Sequence, residues 1–310
     1  MDDFPEIASN NLSIQRRTLS IGVLVLNYNT WDLALRALNA AIGIESDRID
    51  EYVLFDDGSQ VPPPNEIDRR IRLIRGNVNR GFAGALAVAF ASMETDIVVL
   101  FDSDAYPLTP FSARVRERFE RDERLGQLGF MAQDENGSPT ESFHSEPTQW
   151  SLILGQALFA QLPHRPPQPS NLFVITGCMA TRMKSYIQVG GVDEKLGFID
   201  VDADYSVRLR ERGWKVETDT SIKVFHVGGG TPLLRRHRVL HFYKSRWYFL
   251  RKHRLLWNAG FARALILARL RVEQGVLRVF GRYLFNDPAV REDKILGRQA
   301  LISYCRENYR

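Results

Sequence analysis

Four short apolar runs early in the chain lead into clusters of small polar residues, and this alternation constrains the fold more than any other feature. The runs are residues 19–26, 52–55, 71–74 and 96–101. They are rich in Val, Ile, Leu and Phe, as strands buried on both faces are. The clusters are Asn27-Tyr-Asn-Thr30, Asp56-Asp-Gly-Ser59, Asn79-Arg-Gly-Phe-Ala-Gly84 and Asp102-Ser-Asp104. A helical pattern through Leu33, Leu35, Leu38 and Ala41 separates the first two runs, and an Ala-rich helix ending near Met93 separates the last two. Strand, helix, strand in this order predicts a mostly parallel central sheet flanked by helices, an α/β fold of Rossmann-like type. Ligands of such sheets bind at the carboxyl ends of the strands, and all four polar clusters fall there.

The second half is less regular. The pattern predicts a helix over about 110–123, an extended proline-rich stretch at 163–169, a strand at 172–176, a turn at Gly190-Gly191, a helix over 204–212 and a strand at 222–226. Two cysteines, Cys178 and Cys305, imply neither a disulfide framework nor a cysteine zinc site. The N-terminus lacks the basic start and apolar stretch of a signal peptide, and no apolar run reaches the roughly 18 residues of a membrane span. The expected location is therefore cytoplasmic, at the inner face of the cell membrane if the basic region described below binds lipid.

The chemistry-bearing residues begin with Asp102 and Asp104. Two carboxylates two residues apart past a strand end can face one crevice and hold a hard cation such as Mg²⁺ or Mn²⁺, the bland alternative being a solvated turn or helix cap. Asp200, Asp202 and Asp204 alternate; if extended they share a face and repel, and one can serve as a general base. As a helix N-terminus they would instead offset the macrodipole, a reading that suits Asp204 best. His226 ends a strand and precedes three glycines, which permit close backbone approach to a ligand. The segment at 79–84 can offer helix N-terminal amides to phosphate, but it has neither a Walker lysine nor GxGxxG spacing. Tyr28 and Phe82 are candidates to stack on a base, or else core aromatics.

Taken together, these motifs resemble the inverting glycosyltransferase family 2, with the GT-A fold, and within it the rhamnosyltransferase-like branch. The resemblance rests on Val25-Leu-Asn-Tyr-Asn29, Leu54-Phe-Asp-Asp-Gly-Ser59, Asn79-Arg-Gly-Phe-Ala-Gly84, Phe101-Asp-Ser-Asp104, Gly190-Gly-Val-Asp-Glu194, Asp202-Ala-Asp-Tyr-Ser-Val-Arg208 and His226-Val-Gly-Gly229, in the family's order. It implies a nucleotide-sugar donor bound by Leu26, Tyr28, Asp56, Asn79, Gly81, Phe82, Asp102 and Ser103. It implies a metal, Mg²⁺ or Mn²⁺, on Asp104 and His226, and Asp202 as the catalytic base. The family usually writes Glu-Asp at the base; here Val201 precedes Asp202, which makes Asp200 the alternative. Implied partners are a nucleotide-diphosphate donor, first thymidine-diphosphate rhamnose and otherwise a UDP-sugar, and a glycan or lipid-linked glycan acceptor in polysaccharide or cell-envelope synthesis.

The expected organisation is a tail at 1–18, a catalytic domain at 19–232 and a basic helical region at 233–310. The catalytic domain divides into a nucleotide-sugar half, about 19–104, and an acceptor half, about 105–232. Net charge is +4, yet eleven Lys/Arg and no Asp/Glu fall between Thr231 and Val272, leaving the rest at −7. Basic amphipathic helices suit an anionic lipid surface, so residues 233–272 are a candidate peripheral membrane contact; packing on the catalytic domain is the alternative. Nothing in 19–231 supports nucleic-acid readout. An inactive nucleotide-sugar binder of the same fold and a nucleotidyltransferase are the remaining alternatives.

Overall fold

The computed structural model describes residues 18–226, apart from 141, 164 and 165, and residues 235–309. The strands are β1 (Ile21–Asn27), β2 (Glu51–Asp56), β3 (Ile71–Arg75), β4 (Ile97–Phe101), β5 (Ala105–Pro107), β6 (Leu125–Gln133), β7 (Phe143–Ser145), β8 (Leu172–Val174), β9 (Cys178–Arg182) and β10 (Lys215–His226). The α-helices are α1 (Trp31–Glu45), α2 (Gly81–Ala91), α3 (Ser112–Arg121), α4 (Gln149–Ile153), α5 (Gln156–Phe159), α6 (Met183–Gln188), α7 (Val201–Glu211), α8 (Arg235–Lys252), α9 (Ala259–Leu284) and α10 (Pro288–Asn308).

Eight strands form one sheet in the order β3-β2-β1-β4-β9-β6-β10-β5. The first four are parallel, as the alternation predicts. Beyond them the sheet is mixed: β9 runs antiparallel to both β4 and β6, β6 and β10 are parallel, and β5 closes the edge antiparallel to β10. The result is a mixed α/β sheet flanked by helices.

Successive side chains of a strand point to opposite faces, and β1 shows the consequence. Val23 and Val25 join a core with Leu38 of α1, Leu54 and Phe119 of α3, whereas Leu24 joins a second core with Phe55, Leu86 of α2 and Tyr205 of α7. That second core also contains Trp247 and Phe249 of α8, Ile266 of α9, Leu301 of α10 and Tyr309 just after it. The C-terminal helices thus cover one face of the sheet. Burying each such side chain contributes about 1.5–3 kcal/mol.

Several basic side chains of α8 point inward. Arg246 grips Asp200 through both carboxylate oxygens, at 2.7 and 2.8 Å. Lys252 lies 2.6 Å from Asp193 and 2.6 Å from Asp204, and His253 lies 2.8 Å from Asp204. Two cations of the basic region, Arg246 and Lys252, are thus matched by acids of the preceding segment. No helix among the described residues is long and apolar enough to cross a membrane.

Candidate active site

The carboxyl ends of β1, β2 and β4 are level: Asn27 pairs with Asp56, and Val25 with Phe101. Asn27 donates to Asp56 at 2.8 Å and accepts from the Thr30 amide at 3.1 Å, tying the first two polar loops together. Asp56 is fully buried and also bonds Arg75 at 2.9 Å and both the amide and hydroxyl of Ser59. It organises the loop from within. Leu26 is half-buried beside it, and Tyr28 is 39% exposed at the rim.

Its neighbour Asp57 was not singled out by the sequence reading. The carboxylate accepts from the amides of Arg80 and Gly81, at 3.0 and 3.1 Å, and Asn79 accepts from Gly81 at 2.7 Å. The Ala83 amide donates to the Gly197 carbonyl. The start of α2, expected to offer amides to phosphate, is thus filled largely by the protein's own acceptors. Burial pushes the Asp57 carboxyl up, against the pull of those amides. Phe82 packs edge-on against Phe198, with ring centroids 5.5 Å apart.

Three strand pairings assemble the acidic centre. β4 ends at Phe101, so Asp102 and Asp104 leave the sheet edge together with the half-buried Ser103 between them. β5 pairs with the end of β10, setting His226 opposite Ala105 and beside Asp104. β9 pairs with β4 so that Cys178 faces Phe101, which brings Gly177 against Asp102. A Cβ at Gly177 would lie 2.3 Å from Asp102 Oδ2, so only glycine leaves that carboxylate its place.

One ligand atom each from Asp102, Asp104 and His226 lies within 4.8 Å of the others. His226 Nε2 is 3.6 Å from Asp104 and 3.9 Å from Asp102. Burial lowers the His226 pKa, with Asp104 opposing, which favours the neutral imidazole that a cation needs. Burial, then the Asp104 charge, pushes Asp102 up to about 7. Two carboxylates and a neutral imidazole suit Mn²⁺ or Mg²⁺, and a cation here would relieve the repulsion. The glycines after His226 lie outside the described residues.

The alternating acids do not form a strand. α7 begins at Val201, three residues before the expected start, so Asp202 and Asp204 occupy its first turn. Helical residues two apart point to nearly opposite sides, and the pair is divided accordingly. Asp204 is fully buried and bonds Arg208, Lys252 and His253. Asp200 has a left-handed backbone, φ 63°, and is held by Arg246. Asp202 is half-buried and, among the described residues, pairs with no cation. Burial, then the charge of Asp200, pushes it up to about 7, with Asp102 among the lesser contributors. The carboxyl of Asp202 is therefore within electrostatic reach of the acidic centre.

A search of curated proteins finds no match. Among solved structures, the chain is similar to GalNAc-T7 with UDP, GalNAc and Mn²⁺, at 14% identity and a TM-score of 0.57, over 77% of this chain and 49% of that one. It spans about half the length of that enzyme. It is also similar to the mannosyltransferase PcManGT from Pyrobaculum calidifontis in complex with GDP-Man and Mn²⁺, at 16% identity and a TM-score of 0.55, over 93% of this chain and 88% of that one. At such identities the likeness speaks to the fold, and both are glycosyltransferases of GT-A type. A sequence profile described as Glycosyl transferase family 2 matches residues 22–190, more than half of the chain. With its glycosyltransferase-type sheet and acidic strand-end centre, the chain belongs to glycosyl transferase family 2.

Proposed function

We propose that this protein is a metal-dependent inverting glycosyltransferase moving a sugar from a nucleotide diphosphate to a hydroxyl of a glycan or lipid-linked glycan. The observation that carries the reading is the convergence of Asp102, Asp104 and His226 at the strand ends, with Asp202, in the first turn of α7, near enough to feel the charge of Asp102. In this reading Asp104 and His226 hold Mn²⁺ or Mg²⁺ and Asp102 and Ser103 meet the sugar side of the donor. Leu26, Tyr28 and the loop organised by Asp56 form the base wall, while Asn79, Gly81 and Phe82 line the cleft. A bound cation would offset the charge of the departing diphosphate. Asp202 accepts the proton of the acceptor hydroxyl, whose oxygen attacks the anomeric carbon as the bond to the diphosphate breaks. The attack comes from the opposite face, so the configuration inverts.

The test is calorimetry with UDP and thymidine diphosphate, followed by donor hydrolysis assays with thymidine-diphosphate rhamnose and UDP-sugars. Mn²⁺ is expected to tighten diphosphate binding by about tenfold or more, and Asp104→Asn and His226→Ala to abolish that gain. Binding indifferent to Mn²⁺ sinks the metal assignment. Release of pyrophosphate instead of a nucleoside diphosphate would establish a nucleotidyltransferase.

We further propose that the lipid contact is the second half of α9, from the end of the basic run at 233–272 onward. Val272, Val276, Val279, Phe280, Tyr283 and Leu284 are 42–70% exposed along α9, beside the exposed Arg271, Arg278 and Arg282. The acid of this stretch, Glu273, is occupied by Arg269 and Arg298. An apolar face flanked by arginines matches an anionic bilayer. Co-sedimentation with vesicles containing anionic phospholipid is expected, weakened by Phe280→Glu and by salt; equal binding to neutral vesicles counts against it.

A further inference from the structure

Asp200 sits at the cap position of α7. An aspartate there ordinarily has an extended backbone, and its carboxylate accepts from an amide of the first helical turn. Asp200 does neither. Its backbone is left-handed, and its side chain makes no capping bond to α7. Its carbonyl still accepts the first helical bond, from the Asp204 amide at 2.9 Å. Only the side chain has been drawn away.

Arg246 of α8 draws it. The guanidinium donates to both oxygens of Asp200, a paired geometry that fixes direction as well as distance. Its remaining nitrogen donates to the Ser151 hydroxyl of α4 at 2.6 Å, and the group lies over the Phe242 ring at 4.7 Å. Ser151 is tied in turn to the Thr148 carbonyl at 2.7 Å. The clamp is therefore anchored on two helices outside the sheet.

Asp202 uses what Asp200 leaves. The Ala203 amide, one of those a cap residue normally takes, donates to the Asp202 carboxylate at 3.2 Å. A carboxylate in this turn also meets the positive end of the helix dipole. If Asp200 turned back, the two acids would compete for that amide. A left-handed residue with a side chain persists where its surroundings hold it. Resting on the reading of Asp202 as proton acceptor, we propose that Arg246 is a positioning residue: it holds the Asp200 carboxylate off the start of α7, which keeps the Ala203 amide for Asp202 and fixes the turn from which Asp202 departs.

The test follows the Asp202 carboxyl by carbon-13 NMR on the full chain, assigned by its loss in Asp202→Asn, and needs no turnover. The charges that bear on this group are Asp200, in the turn before α7, and Asp102, at the end of β4. Arg246→Met is expected to raise its titration midpoint by about one pH unit, since Asp200 then competes for the amide with its charge unmatched. Adding Asp200→Gly is expected to return the midpoint to the unmodified value or below, because glycine takes the left-handed turn freely and brings no rival carboxylate. Arg246→Lys, which keeps the charge without the paired geometry, is expected to fall between, and carries the test if Arg246→Met does not fold. A midpoint that neither Arg246 variant moves overturns the proposal, as does a rise that Asp200→Gly leaves in place. In turnover, Arg246→Met is expected to lower kcat for nucleotide-sugar hydrolysis by about tenfold or more with diphosphate affinity unchanged, and Asp200→Gly to restore it. Nucleotide sugars left unhydrolysed by the unmodified chain would count against the glycosyltransferase reading, while the carboxyl titration still decides the role of Arg246.

Discussion

Asp202→Asn is expected to lower kcat by about 10²–10⁴-fold, the usual contribution of a general base, with donor binding nearly unchanged. The same substitution is expected to raise Tm. Burial and Asp200 push the Asp202 carboxyl up to about 7. A folded-state pKa above the unfolded value means that ionising the group opposes folding, and this cost is fully present above pH 7. The amide removes it. Lost activity with gained stability is a combination that a structural residue would not give, and it is the usual compromise at a working site. The wild-type rate is expected to rise with pH through about 7, since only the carboxylate can take a proton, and the Asn variant loses that limb. Asp200→Asn behaves differently: it strands the Arg246 guanidinium, so Tm falls. Full activity in Asp202→Asn together with loss in Asp200→Asn would reverse the assignment.

Asp204→Asn is expected to destabilise the fold by about 3–5 kcal/mol, as when one partner of a buried ion pair is removed. Burial alone would raise this carboxyl, but His253, Arg208 and Lys252 outweigh it and hold the group at about 2. The sign follows. A folded pKa below the unfolded value gives stability that is present above about pH 4 and lost as pH falls towards 2. Denaturant unfolding across that window is expected to show the acid loss in the wild type and much less in the variant. A change under about 1 kcal/mol at pH 7 would mean that packing, not these ions, holds α8 against α7.

The parallel half of the sheet was legible because its strands are continuous apolar runs whose polar ends are local in sequence. The antiparallel insertion was not. Two strands, β6 and β9, carry polar residues at buried positions, which breaks the expected pattern. Gln127 is buried, accepting from Ser206 at 2.8 Å and contacting Met179; Thr181 bonds the Gly126 carbonyl and lies 2.5 Å from the Tyr205 hydroxyl. The partners that make these side chains acceptable in a core are 24 to 79 residues away. Gly177 gave no signal either, since its need for glycine comes from Asp102, which meets it only once β9 pairs with β4. The acids at 200, 202 and 204 were visible as a group. Their separate environments depend on where α7 starts and on Arg246 and His253, some 46 to 49 residues on.

The ion pairs between α8 and the acids at 193, 200 and 204 have a practical consequence. They make the smallest self-sufficient piece of this protein larger than its sheet. A version cut before α8 would strip Asp200 of Arg246 and leave Asp204 with Arg208 alone of its partners, and the turn bearing Asp202 would lose its brace. Changes made far down the chain, in α8, should therefore register first at the turn that carries Asp202.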